Sequence, residues 1–234
     1  MPPPADDPAR FTHPGGAAEP ARAAELSLPA QNLLTDAQSP EQLLAALARG
    51  GLSEDGVKFF ARVLPKREAV WWAARCAATV PRPPAEVTPA AHEAAVAAEA
   101  AARAAAEAWC GGPADDRRRA CFPAGQAAAD SPSGLAALAA FFADGSMGPA
   151  DIPAVPPPAD ACAAACAAAV LLAAVRVEPD KADAKRKRFL ETGKAVLAGT
   201  DRWPDAPPPP SPVAVELPAA AAPPPPPKRR TGYY

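Results

Sequence analysis

Two cysteines four positions apart, Cys162 and Cys166, fall on one face of any helix that carries them. That spacing could offer two thiolates to a single soft metal ion. The other thiols, Cys76, Cys110 and Cys121, and the imidazole of His92 are distant in sequence. A structural zinc site announces itself by paired short-loop CxxC halves, and none is present, so the cysteines read as small core residues rather than ligands. No metal and no cofactor is assigned. Nucleophilic thiol chemistry would need a base, and the chain holds only His13 and His92. The GxGxxG, GK[ST], GxSxG and HExxH patterns do not occur. The expectation is a protein that is not an enzyme, with no catalytic residue to name.

The remaining candidates are cations and aromatic rings. Lys185-Arg186-Lys187-Arg188 could contact phosphates together with Lys181 and Lys194. Successive helical residues are about 100° apart, however, so the four wrap around the helix, and Asp180, Asp183 and Glu191 offset them. This reads as a solvated helix face, and nucleic acid is not the expected partner. Lys66 and Arg67 stand in the first turn of a predicted helix, where the macrodipole disfavours each cation by about 0.3–1 kcal/mol. A broken local rule points to a specific counterpart: an ion pair with Glu68 or a carboxylate of a neighbouring helix, or an acidic protein partner. One turn on, Trp71 and Trp72 cannot share one narrow seam. One indole is expected in the core, the other against a second neighbour or at a partly open rim. Far downstream, Lys228, Arg229, Arg230, Tyr233 and Tyr234 end a tail with two polyproline runs, a basic and aromatic terminus suited to an acidic, aromatic-lined groove.

These residues must be positioned by helices, because alternating β-branched and aromatic runs are missing. Ser39-Pro40-Glu41-Gln42 is a capping box opening a helix to about Arg49, and Ser53-Glu54-Asp55 is read as the cap of a second. Pro65 opens the third, and Thr88-Pro89 caps an alanine-rich fourth ending at Gly111-Gly112. Asp115-Asp116 begins a fifth, expected to kink or break near Pro123, and Ser131-Pro132 caps a sixth running to Gly145. A seventh, 160–176, is apolar nearly all round and is expected at the centre of the stack, and an eighth, 179–198, is amphipathic. The fold class is all-α: about eight antiparallel helices in a compact bundle or short superhelical stack.

Thirty-four prolines in 234 residues crowd toward the ends. Residues 1–30 are therefore read as a disordered N-terminal arm, 31–203 as the helical domain and 204–234 as a disordered proline-rich tail. Net charge is −2, from 24 basic against 26 acidic residues, so no global field favours nucleic acid or an acidic membrane. The longest apolar run, 161–175, is too short to span a bilayer, no secretory signal opens the chain, and the odd cysteine count fits reduced thiols. A cytoplasmic location without membrane insertion is expected.

The segment Leu64-Pro65-Lys66-Arg67-Glu68-Ala69-Val70-Trp71-Trp72-Ala73, with Arg75-Cys76-Ala77, resembles the signature helix of a bacterial family of uncharacterised helical proteins. Asp116-Arg117-Arg118-Arg119-Ala120, Ser131-Pro132-Ser133-Gly134-Leu135-Ala136 and Ala169-Val170-Leu171-Leu172-Ala173-Ala174-Val175 are similar to other parts of it. The likeness covers roughly Leu33 to Gly199, implies one helical domain, and lends no catalytic residue. Pro123 departs from it, since relatives carry a longer helix there. The leading functional reading is a non-enzymatic adaptor, its core engaging one protein and its tail tethering another, the partners' identity open. The alternative is a small-molecule- or metal-responsive protein with a pocket near the Trp pair and the cysteines.

Overall fold

The Ser39 hydroxyl accepts a hydrogen bond from the Gln42 amide at 3.3 Å while the Gln42 side chain accepts from the Ser39 amide at 2.9 Å, the reciprocal capping box the sequence predicts. Thr88 and Ser131 cap their helices by the forward bond alone, accepting from Ala91 N at 3.3 Å and Gly134 N at 3.0 Å. These signals recur because a computed structural model of the protein, which describes residues 11, 16–84, 87–149 and 151–204, is all-helical. The described residues form α1 (Ala18–Ala23), α2 (Leu28–Gln31), α3 (Pro40–Arg49), α4 (Ser53–Val63), α5 (Lys66–Ala78), α6 (Pro89–Gly111), α7 (Asp115–Ala127), α8 (Pro132–Phe141), α9 (Ala161–Val175) and α10 (Ala182–Leu197), with a 3-10 turn at Pro179–Lys181.

Four expectations are corrected. The helices beginning before residue 31 were not anticipated: α1 and all but the last residue of α2 lie within the stretch read as an arm, and with their flanks they bury Ala17, Ala21, Ala24, Leu26 and Ala30. Ser27 fixes them to α4, donating its amide and hydroxyl to the two Asp55 carboxylate oxygens at 2.7 and 2.8 Å. Ser53 is not the cap of α4 but its first residue; its hydroxyl donates to Asp183 at 2.6 Å and accepts from Arg186 at 2.9 Å, joining α4 to α10. Helix α7 runs through Pro123 without a break. Proline removes one backbone bond, but packing of α7 against both α6 and α8 outweighs that loss. Finally, α8 stops at Phe141 rather than Gly145; Gly145 takes φ +70°, and a side chain there would strike the Arg118 guanidinium, whose Nε lies 2.9 Å from where a Cβ would sit.

Helices α5, α8 and α9 all touch one another and make the centre of the molecule. Their contact faces are built of small residues: Ala69, Ala73 and Ala74 on α5, Ala136, Ala137 and Ala140 on α8, and Ala169, Ala173 and Ala174 on α9 are all buried. Alanine faces let helix axes approach closely and lose no side-chain entropy on burial. The central position expected for α9 is therefore shared, and α9 still exposes Ala164, Ala168 and Val175. Helices α6 and α7 cover one flank of the trio, α4 and α10 the other, and α3 and α1 pack on α4. Glycine sets the closest approach: a Cβ on Gly134 of α8 would lie 2.0 Å from the carbonyl oxygen of Ala128, just beyond α7, and one on Gly125 of α7 would lie 3.0 Å from the Gly134 oxygen. Among the described residues no helix is long and apolar enough to cross a membrane.

Candidate functional site

Helix α5 carries four of the residues singled out by sequence: Lys66 and Trp72 hold the fold, Trp71 joins a cluster near the surface, and Arg67 does both. Lys66 Nζ donates to the carbonyl of Ala143, just past the end of α8, at 2.6 Å. Arg67 Nε donates to the carbonyl of Cys110, in the last turn of α6, at 2.6 Å. In place of a carboxylate, then, both cations serve the negative ends of other helices. The unfavourable dipole of their own helix is offset by the favourable dipoles of α6 and α8. Three further cations that sequence reasoning missed in this role do the same. Arg117 donates to the carbonyls of Ala108 and Gly112 at 3.3 and 3.4 Å, buried Arg118 to those of Phe141 and Ser146, each at 2.9 Å, and Lys185 to that of Val177 beyond α9. The available signal was the run of arginines following the Asp pair at the start of α7.

Substituting Lys66 and Arg67 together by alanine is expected to lower unfolding free energy by about 2–4 kcal/mol, since each removes a charged donor from otherwise orphaned helix-end carbonyls. Chemical denaturation of the double variant measures this; an unchanged midpoint would show that the two caps hold nothing together.

The tryptophans face different neighbours, as their angular separation requires. Trp72 is fully buried; its ring meets Phe60 edge-on at 5.2 Å and its Nε1 donates to the Phe189 carbonyl of α10 at 2.7 Å. Gly193 makes room for both rings, since a Cβ there would fall 2.3 Å from Phe60 and 3.0 Å from the Trp72 nitrogen. Trp71 is 5 % exposed, so the partly open rim is in fact covered. The cover is the segment following α10. Gly199, at φ +74°, turns the chain, and the amides of Thr200 and Asp201 donate back to the Ala195 carbonyl at 3.0 and 3.2 Å. Asp201 then receives the Trp71 indole N–H at 3.1 Å on one carboxylate oxygen and Arg75 Nε at 3.2 Å on the other. Trp203 sits edge-on to Trp71 at 6.3 Å, and the Arg67 guanidinium stacks over the Trp203 ring at 3.9 Å. Burial lowers the Arg67 guanidinium from its ordinary value and raises the Glu68 carboxyl beside it. Asp201 and Trp203 were not anticipated, although a tryptophan beside a proline-rich tail was a usable signal.

A family model described as a family of unknown function, DUF6931, matches residues 43–197, more than half of the chain. The chain belongs to DUF6931. The DUF6931 residues include Arg67, Trp71 and Arg75 and stop short of Asp201 and Trp203. No curated protein matches the chain, and no solved structure does.

Elsewhere in this DUF6931 chain, the thiols are enclosed and the described cations of α10 are engaged by neighbours. All five cysteines are free and buried. Burial pushes the Cys121 thiol up to about 12 and raises Cys76 and Cys110 well above the ordinary thiol value too; for Cys166 the hydrogen bond with Cys162, then burial, acts the same way. Among the described residues no group of three or more His, Cys, Asp or Glu is placed to hold a metal ion. The basic cluster of α10 is dispersed: Arg186 holds Ser53, Lys187 pairs with Asp183 at 2.7 Å, and Lys194 pairs with Glu191 at 2.7 Å. Buried Glu99 of α6 receives Arg176, at the end of α9, and Arg82, beyond α5, while Arg82 also reaches Asp130 at 2.6 Å. Burial pushes the Glu99 carboxyl up, but the bonds from Arg176 and Arg82 outweigh it and leave it below the usual carboxylate range. Lys228, Arg229, Arg230, Tyr233 and Tyr234, the rest of the proline-rich tail and His13 lie outside the described residues.

Proposed function

We propose that this DUF6931 protein is a non-enzymatic adaptor of the cytoplasm, whose helical core engages one protein at the Arg67, Trp71 and Arg75 face of α5 and whose proline-rich tail tethers another. One observation carries the reading: an acidic and aromatic segment, Asp201 to Trp203, lies across that face at the root of the tail. Tryptophan and arginine are the residue types that dominate binding energy at protein interfaces, and here they converge beside the surface. The sequence after residue 204 carries two polyproline runs, a composition suited to spacing one binding element from another, and ends on the basic and aromatic residues Lys228, Arg229, Arg230, Tyr233 and Tyr234. Five reduced, buried thiols suit a reducing compartment.

The test is affinity capture from the source organism with full-length protein, a chain ending at Pro204, a chain lacking residues 228–234 and the Arg75→Ala variant. One protein lost with the tail and a second lost with Arg75→Ala, the melting temperature unchanged, is the expected result. If no captured protein depends on either element, the adaptor reading is wrong.

A further inference from the structure

The segment covering α5 is held by few and mostly polar contacts. The Asp201 side chain is 24 % exposed and that of Arg75 46 %, so water reaches their ion pair, and such pairs contribute little when solvated. Trp203 is only partly buried, against Trp71 and beneath Arg67. Lifting the segment would leave the Trp71 indole N–H without its acceptor, Arg75 without its carboxylate and Arg67 without its ring. The face beneath thus has a defined chemical preference. Two donors from neighbouring turns converge on one carboxylate, and a guanidinium and an indole frame one aromatic ring two residues further along the chain.

We infer that the Arg67, Trp71 and Arg75 face is a receptor for partner peptides that carry a carboxylate two residues before an aromatic ring, with Asp201 to Trp203 as its built-in competitor. The inference rests on the adaptor reading and names the partner's chemistry. A segment tethered by the single turn at Gly199 acts at an effective concentration of about millimolar, so a partner must exceed that competition or act when the segment is released. The α5 face and the competitor also differ in standing within the chain: the family match contains the first and ends at residue 197, before the second.

The experiment uses a fluorescently labelled peptide of residues 198–206, AGTDRWPDA, titrated into the full-length chain carrying D201A and W203A and followed by anisotropy. Saturable binding to the opened variant is expected, at least about tenfold weaker to the wild-type chain, where the segment competes. The same loss is expected for a peptide lacking the Asp and Trp side chains, and for the opened variant that also carries Arg75→Ala. Should the double variant lose its cooperative melt, D201N, which removes the anion and keeps the ring, takes its place as receptor. No saturable binding to a folded opened chain, or equal binding of intact and stripped peptides, overturns the inference. Partner capture that survives such a failure leaves the adaptor reading standing, whereas peptide binding without any captured partner refutes only the adaptor.

Discussion

Replacing Gly134 with alanine is expected to destabilise the protein by about 3 kcal/mol or more, toward the upper end of what overpacking does. The added Cβ would lie 2.0 Å from the Ala128 carbonyl oxygen and 2.4 Å from its carbon, both backbone atoms, so no flexible side chain can swing aside. Relief requires α7 and α8 to part. The same movement would disturb the Ser131 cap, whose hydroxyl accepts from the Gly134 amide itself. Alanine normally favours a helix over glycine by close to 1 kcal/mol, so propensity alone predicts the opposite sign. Thermal and urea melts therefore decide cleanly between a steric and an intrinsic effect. A Gly134→Ala protein at least as stable as the parent would mean that the two helices do not approach as described. Gly125→Ala is expected to be milder, because the backbone atom its Cβ would meet, the Gly134 oxygen, lies 3.0 Å away rather than 2.0 Å.

The second large effect is expected at Glu99. Its side chain and that of Arg176 are about 10 % and 9 % exposed, so Glu99→Gln strands buried guanidinium charge without an anion. Breaking a buried pair by neutralising one partner typically costs about 3–5 kcal/mol. The carboxyl is held below its unfolded value, so the unfolded chain binds the proton more readily in acid. This contribution is fully present above the ordinary carboxylate range near pH 4 and is lost as the pH falls through the lower folded value. Asp130, held down by its hydrogen bond to Arg82, adds in the same direction. A series of melts from pH 7 to pH 2 is expected to show the parent losing stability in acid and Glu99→Gln losing distinctly less, starting from a lower plateau. Parallel curves for the two proteins would show that this cluster does not govern the acid limb.

How far these features could be read in advance follows from their range along the chain. Caps at Ser39, Thr88 and Ser131 are completed within three residues, and all three were legible. Helices α1 and α2 were not. They are only six and four residues long, too short to be stable by propensity, and they exist through burial of Ala17, Ala21, Ala24, Leu26 and Ala30 and the distant anchor at Asp55. Lys66 and Arg67 were conspicuous because they violate the dipole rule, yet their acceptors stand 77 and 43 residues away and are backbone atoms that carry no residue signature. The Glu99 cluster left a fainter trace. Glu99 shares a buried stripe with Ala102, Ala106 and Trp109, an acid where the helical period calls for an apolar residue. The position of Trp71 beside Asp201 and Trp203 depends on the turn at Gly199, which the composition of a proline-rich tail concealed.

The enclosed thiols bear on how the protein ages. With every cysteine at 1 % exposure or less, neither oxidant nor electrophile reaches sulfur while the helices stay packed. Thiol chemistry in this chain is therefore clocked by the frequency of large-scale opening and not by the strength of the oxidant outside. Once a molecule does open, five sulfurs become reactive together, and any bridge among them would hinder repacking of the alanine faces around α9. Damage would then be all-or-none for each molecule, a property set by where the cysteines sit rather than by their chemistry.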